Sequence, residues 1–160
     1  MTDASPDAFQ DLIPNNHCWG CGNLNDGGLQ LKSHWTTPGE ISTAVWSPQP
    51  VHMAGPEDVL NGGIISTLFD CHGICTAIAH AYRVEGRKIG EGDQIWYATG
   101  TLSVRFRKPT PIDSPVTLTA MIESSKEKRT NLRLSIESGG IETATAEVIA
   151  IRVPGDWVVG

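Results

Sequence analysis

A single carboxylate interrupts the most apolar stretch of this sequence. Asp70 lies in a segment that opens with Asn61, Gly62 and Gly63 and continues as Ile-Ile-Ser-Thr-Leu-Phe before the carboxylate. A carboxylate in an apolar helix is costly to bury unless it is paired, hydrogen-bonded or hydrated. That cost is tolerated where the group does chemistry. We therefore take Asp70 as a candidate general base or nucleophile.

The residues that precede Asp70 could stabilise a developing negative charge. Asn61 is a good N-cap, and a helix N-terminus offers unpaired N–H groups and a partial positive charge. Gly62 and Gly63 would let a substrate approach the backbone closely. Removing one such oxyanion donor costs roughly 3–4 kcal/mol of barrier. The same glycines would also serve tight packing of a helix on a strand, and glycines alone do not decide between these interpretations.

The elements that must position these groups follow from the hydrophobic pattern. An apolar helix among antiparallel strands has to lie on one face of their sheet. The predicted class is therefore α+β, one long central helix packed on an antiparallel sheet of about six strands. The predicted segments are a lead-in over 1–16 with a helical turn near 8–12, strands at 28–35 and 41–46, a loop over 47–60, a helix from about 61 to 82, a loop over 84–94, and strands at 95–108, 116–124, 131–137 and 143–153.

Regular alternation in the strand after the helix separates two sets of side chains. Leu102, Val104 and Phe106 share one side of the predicted strand, while the intervening polar residues share the other. The domain is expected to cover residues 17–153. Residues 154–160 form a tail whose Trp157 could pack, with the two valines after it, on a neighbouring molecule.

Composition excludes several classes of protein. The chain has 160 residues, of which 39% are hydrophobic and 19% charged, and this suits one globular domain. A net charge of −6 argues against nucleic-acid binding, which needs a basic surface. We find no apolar run long enough to span a bilayer and no signal peptide. The sequence therefore predicts a cytoplasmic protein without a membrane partner, whose cysteines are reduced.

The four cysteines form two pairs in the sequence. Cys18 and Cys21 make a C-x-x-C motif, while Cys71 and Cys75 follow on the predicted helix. A structural metal site needs four ligands, so it would have to join the N-terminal segment to that helix. Small buried thiols are the simpler interpretation. We accordingly expect no metal ion.

Three stretches resemble hotdog-fold acyl-CoA thioesterases of the 4-hydroxybenzoyl-CoA and phenylacetate-pathway type. They are Cys-Trp-Gly-Cys-Gly-Asn at 18–23 with Gly-Leu-Gln-Leu at 28–31, Asn-Gly-Gly at 61–63 with Asp70 nine residues after Asn61, and the strand 99–109 ending Ser-Val-Arg-Phe-Arg-Lys-Pro. The resemblance covers residues 18–153. It implies hydrolysis of an acyl-CoA without a cofactor, coenzyme A being part of the substrate. It also implies a homodimer or a dimer-of-dimers tetramer, with sites at subunit interfaces.

The resemblance also implies roles for particular residues. Asp70 falls on the catalytic carboxylate, Gly62 on the backbone donor to the thioester carbonyl, and Thr99 near a position that helps to hold the water. Two positions depart from the family. Asn61 replaces the usual His, and Gly55 stands where relatives carry an Asn or Gln.

Further residues are candidates for binding substrate. Arg105, Arg107 and Lys108 form the densest basic cluster and could bind the phosphates of coenzyme A, although solvated surface charge explains them equally well. Gly63 and His52 are candidates near the helix start, and His52 or Asn61 could replace the polar group that Gly55 lacks.

Three other functions stay open at this stage. One is a non-catalytic hotdog module that binds an acyl thioester or lipid. Another is a dehydratase-type hotdog protein, which needs a paired Asp and His. The last is a binding module stabilised by a metal.

Overall fold

One long helix, two short helical turns and six strands make up the regular part of the described residues. The structure is a computed structural model and describes residues 7–157. Its elements are a short α1 (Phe9–Leu12), β1 (Ser33–Thr37), β2 (Ile41–Trp46), a 3-10 turn (Pro50–His52), α2 (Gly62–Val84), β3 (Trp96–Phe106), β4 (Val116–Lys126), β5 (Arg129–Ser138) and β6 (Ile141–Val153). The predicted fold class, one long helix on a six-stranded antiparallel sheet, is confirmed.

The strands form a single antiparallel sheet in the order β1-β2-β4-β5-β6-β3. Although β3 follows α2 directly in the chain, it pairs with β6 at the far edge. Its other side has no strand beside it among residues 7–157. The sheet therefore ends in an 11-residue edge strand that lies next to the central helix.

The core lies between α2 and the sheet, and α2 is buried on more than one side. Leu68, Phe69, Ala77 and Ile78 are at most 1% exposed. A Cβ on Gly73 would come within 3.2 Å of the Val148 side chain, so this glycine permits close contact between helix and β6. The helix supplies most of the apolar contacts that the sheet face requires.

One sequence expectation about α2 needs correction. We found no apolar run long enough to span a bilayer, yet the 23-residue α2 is long and apolar enough by length and composition. Of its most apolar window, 61% is buried within the protein. That burial is what the core helix of a folded domain shows, and length with hydropathy alone is weak evidence for a membrane span.

The predicted strand over residues 28–35 is wrong in its first half, because β1 begins only at Ser33. Gln30 has a φ of 57°, which a strand does not allow. Its side-chain Nε2 donates to the carbonyls of Gly22 and Asn25 at 2.7 and 2.6 Å. The segment before β1 is therefore an irregular loop that a side chain holds together.

The structure describes part of the predicted lead-in and part of the predicted tail. Phe9, Gln10 and Ile13 are at most 4% exposed, so part of the lead-in packs into the core. Trp157 is 60% exposed. The two valines that follow it lie outside the described residues.

Candidate active site

Asp70 lies on α2 and meets the edge strand. The Thr99 hydroxyl on β3 donates to Asp70 Oδ1 at 2.5 Å, and Oδ2 has no hydrogen-bond partner among residues 7–157. Asp70 is half-buried and Thr99 is exposed. Burial raises the pKa of Asp70, while the Thr99 hydrogen bond lowers it. The result is a carboxylate with one oxygen held and one oxygen available to a ligand or water.

A β-bulge in β3 directs Thr99 toward the helix. The pairing of β3 with β6 shifts between Thr99 and Thr101, which leaves Gly100 as the extra residue. Unbroken alternation would put Thr99 on the same side as Arg105, away from Leu102 and the core. The bulge instead brings its hydroxyl to Asp70. A side chain at Gly100 would not fit, because a Cβ would lie 2.8 Å from the Ile151 side chain.

The N-terminus of α2 has one free backbone donor. Asn61 caps the helix, and its Oδ1 accepts the N–H groups of Gly63 at 2.8 Å and Ile64 at 3.2 Å. The Gly62 N–H has no acceptor among residues 7–157. Gly62 is therefore the amide that remains available to a carbonyl oxygen. Asp70 is eight positions further along α2, so the two are about 12 Å apart along the helix axis.

His52 lies at the N-terminal end of α2. Its carbonyl accepts the Asn61 N–H at 3.0 Å, and its Nδ1 accepts the Gln49 N–H at 2.9 Å. Its ring packs on Trp46 with centroids 4.9 Å apart. Burial lowers the pKa of His52. His52 thus supports the helix start, whereas the group bonded to Asp70 is Thr99.

The predicted phosphate-binding residues lie away from Asp70 within one chain. Arg105 and Arg107 line a shallow cleft on the exposed sheet face together with Arg133 and Glu147. Arg107 also faces Glu142, with Nε 3.4 Å from the carboxylate. Lys108 is exposed just after the strand. Their contact with a substrate stays a prediction.

The small residues on the Asp70 side of α2 differ in burial along the helix. Ala77 and Ala81 are 0% and 6% exposed. Gly63 and Ser66, nearer the helix start, are less buried. The Asp70 side of α2 is therefore covered toward the C-terminal end of the helix and less covered toward Gly62.

A buried polar network beside the site was not foreseen from the sequence. His72 is fully buried, with Nδ1 2.8 Å from Ser33 Oγ and Nε2 3.3 Å from both the Oγ and the carbonyl oxygen of Ser42. Ser42 Oγ also meets Thr76 Oγ1 at 2.6 Å. Burial lowers the pKa of His72 to about 4. The neutral ring ties α2 to β1 and β2.

The four cysteines come together next to Asp70. We call Cys18, Cys21, Cys71 and Cys75 the four-cysteine cluster. The sulfurs of Cys18 and Cys71 are 3.6 Å apart, and those of Cys21 and Cys75 are 3.7 Å apart. The sulfurs of Cys18, Cys21 and Cys71 all lie within 4.8 Å of one another. Among residues 7–157, these three cysteines are the group whose side chains could hold a metal ion, and Cys75 lies beside them through its contact with Cys21.

Solved structures share this arrangement of helix and sheet. A thioesterase superfamily protein from Shewanella loihica superposes with a TM-score of 0.60 at 23% identity, over 87% of this chain and 96% of that one. The chain has the hotdog fold. The E. coli PaaI protein from the phenylacetic acid degradation operon superposes on this hotdog chain with a TM-score of 0.64 at 12% identity, over 79% and 82% of the two chains.

A third hotdog relative is a phenylacetic acid degradation-related protein from Ralstonia eutropha. It superposes with a TM-score of 0.63 at 15% identity, over 77% of this chain and 85% of that one. No protein-family model matches the sequence, and no curated protein matches it either. At these identities the comparisons establish the fold, and the chemistry has to be argued from the site.

Proposed function

We propose that this hotdog protein hydrolyses an acyl-CoA thioester to the free acid and coenzyme A. The observation that carries the proposal is the Asp70–Thr99 pair, in which the edge strand holds one oxygen of a half-buried carboxylate on the central helix. The unpaired Gly62 amide supplies the second element that thioester hydrolysis needs. The reaction requires no cofactor other than the coenzyme A of the substrate.

Asp70 can act by either of two routes. As a general base it takes a proton from water, whose oxygen attacks the thioester carbon while the carbonyl electrons move to oxygen. As a nucleophile it attacks that carbon itself and forms an anhydride, which water then hydrolyses. In both routes the oxyanion is stabilised by the Gly62 N–H, and collapse expels the coenzyme A thiolate, which takes up a proton.

One subunit cannot bring Gly62 and Asp70 to the same carbonyl group. Gly62 and Asp70 are about 12 Å apart along one helix, which is too far for both to act on one carbonyl group. The edge strand β3 has unpaired backbone groups and exposes Phe106 by 54%. We propose a homodimer formed along β3, in which Gly62 of one subunit faces Asp70 of the other. Light scattering on the purified protein tests it, and a monomer with full activity would refute it.

Replacing Asp70 tests the catalytic assignment. Asp70→Asn keeps the shape of the side chain but removes its charge, and should lower kcat for release of free thiol from an acyl-CoA panel by about 10²–10⁴-fold. Asp113→Asn is the matched control, because within the described part of the chain this exposed carboxylate bonds only to Ser114. An Asp70→Asn protein that is folded and hydrolyses as fast as the control would refute the role of Asp70.

The second candidate is a module that binds an acyl thioester without hydrolysing it. Gly55 favours it, because that position has no side chain and no heavy atom within 4 Å of where a Cβ would be. A polar group that orients water in relatives is therefore missing there. Thermal stabilisation by acyl-CoA without thiol release across the panel would favour the binding module, whereas turnover would exclude it.

A further inference from the structure

The four-cysteine cluster joins two distant parts of the chain. Cys18 and Cys21 come from the loop before β1, and Cys71 and Cys75 come from one side of α2, one turn apart. Each loop cysteine meets a different helix cysteine, across 53 and 54 residues of sequence. The spacing of the two loop cysteines therefore matches the spacing of the two helix cysteines, and the sulfurs of the two pairs are in contact.

Two of the sulfur separations match those of ligands around one metal ion, while the Cys75 sulfur meets Cys21 but lies outside the group of three that are mutually within 4.8 Å, so it has to move closer to complete the set. A tetrahedral zinc with Zn–S bonds of about 2.3 Å places its sulfurs about 3.8 Å apart. The two contacts between loop and helix are 3.6 and 3.7 Å. A cubane iron–sulfur cluster binds each cysteine to a different iron, so its cysteine sulfurs lie further apart than those that share one ion.

The loop is built to bring its sulfurs to the helix. A Cβ on Gly20 would lie 2.3 Å from Cys71 Sγ, so only glycine allows this approach. A Cβ on Gly22 would lie 2.4 Å from the Cys18 nitrogen and 2.5 Å from the Asn16 oxygen. The Gly22 N–H also donates to the Cys18 carbonyl at 2.7 Å. The Cys-x-x-Cys-Gly turn therefore leaves no room for a side chain at Gly20 or Gly22.

A buried side-chain amide, that of Asn16, contacts both cysteines of the loop. Asn16 is 4% exposed, and its Oδ1 accepts the Cys18 N–H at 3.2 Å. Its Nδ2 lies 3.9 Å from Cys21 Sγ and points an N–H at that sulfur. An N–H donor aimed at sulfur suits a thiolate better than a thiol, because a thiolate is the stronger acceptor. Such outer hydrogen bonds are typical of metal-bound cysteines.

We propose that the four-cysteine cluster holds one Zn²⁺ ion in a closed structural site. Four thiolates leave no open coordination position, so the ion stabilises the fold and does not take part in hydrolysis. Its effect is to fix the irregular loop before β1 onto α2, at the residue next to Asp70. The inference departs from the sequence expectation of no metal, and it stands independently of the proposed catalytic activity.

Metal analysis of the purified full-length protein is the direct test. We expect about one zinc per chain, retained through dialysis and released when the thiols are modified with an organomercurial. Cys18→Ser and Cys71→Ser should each lose the ion, whereas His17→Asn should keep it, since His17 is exposed beside the loop but not part of the cluster. Iron in place of zinc would overturn the choice of metal.

Cobalt substitution keeps the test valid if the cysteine variants do not fold. Wild-type protein refolded with Co²⁺ alone should show the intense visible bands of a tetrahedral ion and thiolate-to-cobalt charge transfer. Removing the metal should lower Tm by about 10 °C or more, because zinc binding contributes directly to folding. A metal-free protein with four free thiols, an unchanged Tm and no cobalt bands would refute the site, as would two disulfide bonds in protein purified under reducing conditions.

Discussion

The Thr99 hydroxyl is the sharpest place to test how the carboxylate is positioned. Thr99→Val keeps the branched shape of the side chain and removes only the hydroxyl that donates to Asp70 at 2.5 Å. Hydrogen bonds to charged groups contribute about 1.5–3 kcal/mol. Because Thr99 is exposed, we take the lower end of that range, which corresponds to a roughly tenfold fall in kcat. Thr99→Ser keeps the donor and should keep most of the activity.

The assay is initial-rate release of free thiol from the best acyl-CoA of the panel. We expect kcat to fall while KM changes by less than about twofold, because Thr99 orients Asp70 rather than the acyl chain. Valine is a good strand former, so Tm should fall by no more than the roughly 3–6 °C that corresponds to the lost hydrogen bond, and loss of fold would not explain the result. The reasoning is refuted if Thr99→Val retains the wild-type kcat, or if Thr99→Ser loses as much as Thr99→Val.

Three further substitutions test the elements around the site by thermal or chemical denaturation. Gly100→Ala should cost about 1–3 kcal/mol of stability by forcing a Cβ into β6, whereas Gly55→Ala, in open space, should be neutral within about 0.5 kcal/mol. Asn61→Ala should cost about 0.5–2 kcal/mol through loss of the helix cap, and Asn61→Asp should not. His72→Leu should cost about 3 kcal/mol by leaving Ser33 and Ser42 with fewer buried partners, while His80→Leu, which loses one bond to a backbone carbonyl, should cost less than about 1 kcal/mol.

Most of the fold could be predicted because its hydrophobic pattern is regular. The strand Ile41–Trp46 and the start of α2 after Asn61 came directly from alternation and capping. The prediction that the strand begins at residue 28 failed because Leu29 and Leu31 alternate as they would in a strand, yet both are buried in a loop. A left-handed residue between them, Gln30, produces the same pattern without extended backbone.

The candidate site was only partly predictable for a related reason. A carboxylate inside an apolar helix was enough to single out Asp70 as a candidate, but strict alternation would have turned Thr99 to the side of β3 away from it. The signal was Gly100, because a glycine inside a strand often marks a bulge. No feature of the sequence near either cysteine pair predicted that the two pairs would come together. Contacts across more than 50 residues depend on how the loop folds back onto α2.

Three consecutive residues of α2 explain why the carboxylate is held so firmly. Successive side chains on a helix diverge by about 100°, so residues 70 to 72 face three different parts of the molecule. Asp70 meets β3 through Thr99, Cys71 meets the loop before β1, and His72 meets β1 and β2. Two of these contacts are structural and flank the one that could do chemistry. Any rotation of α2 that moved Asp70 away from Thr99 would also separate the cysteine sulfurs and break the buried histidine network.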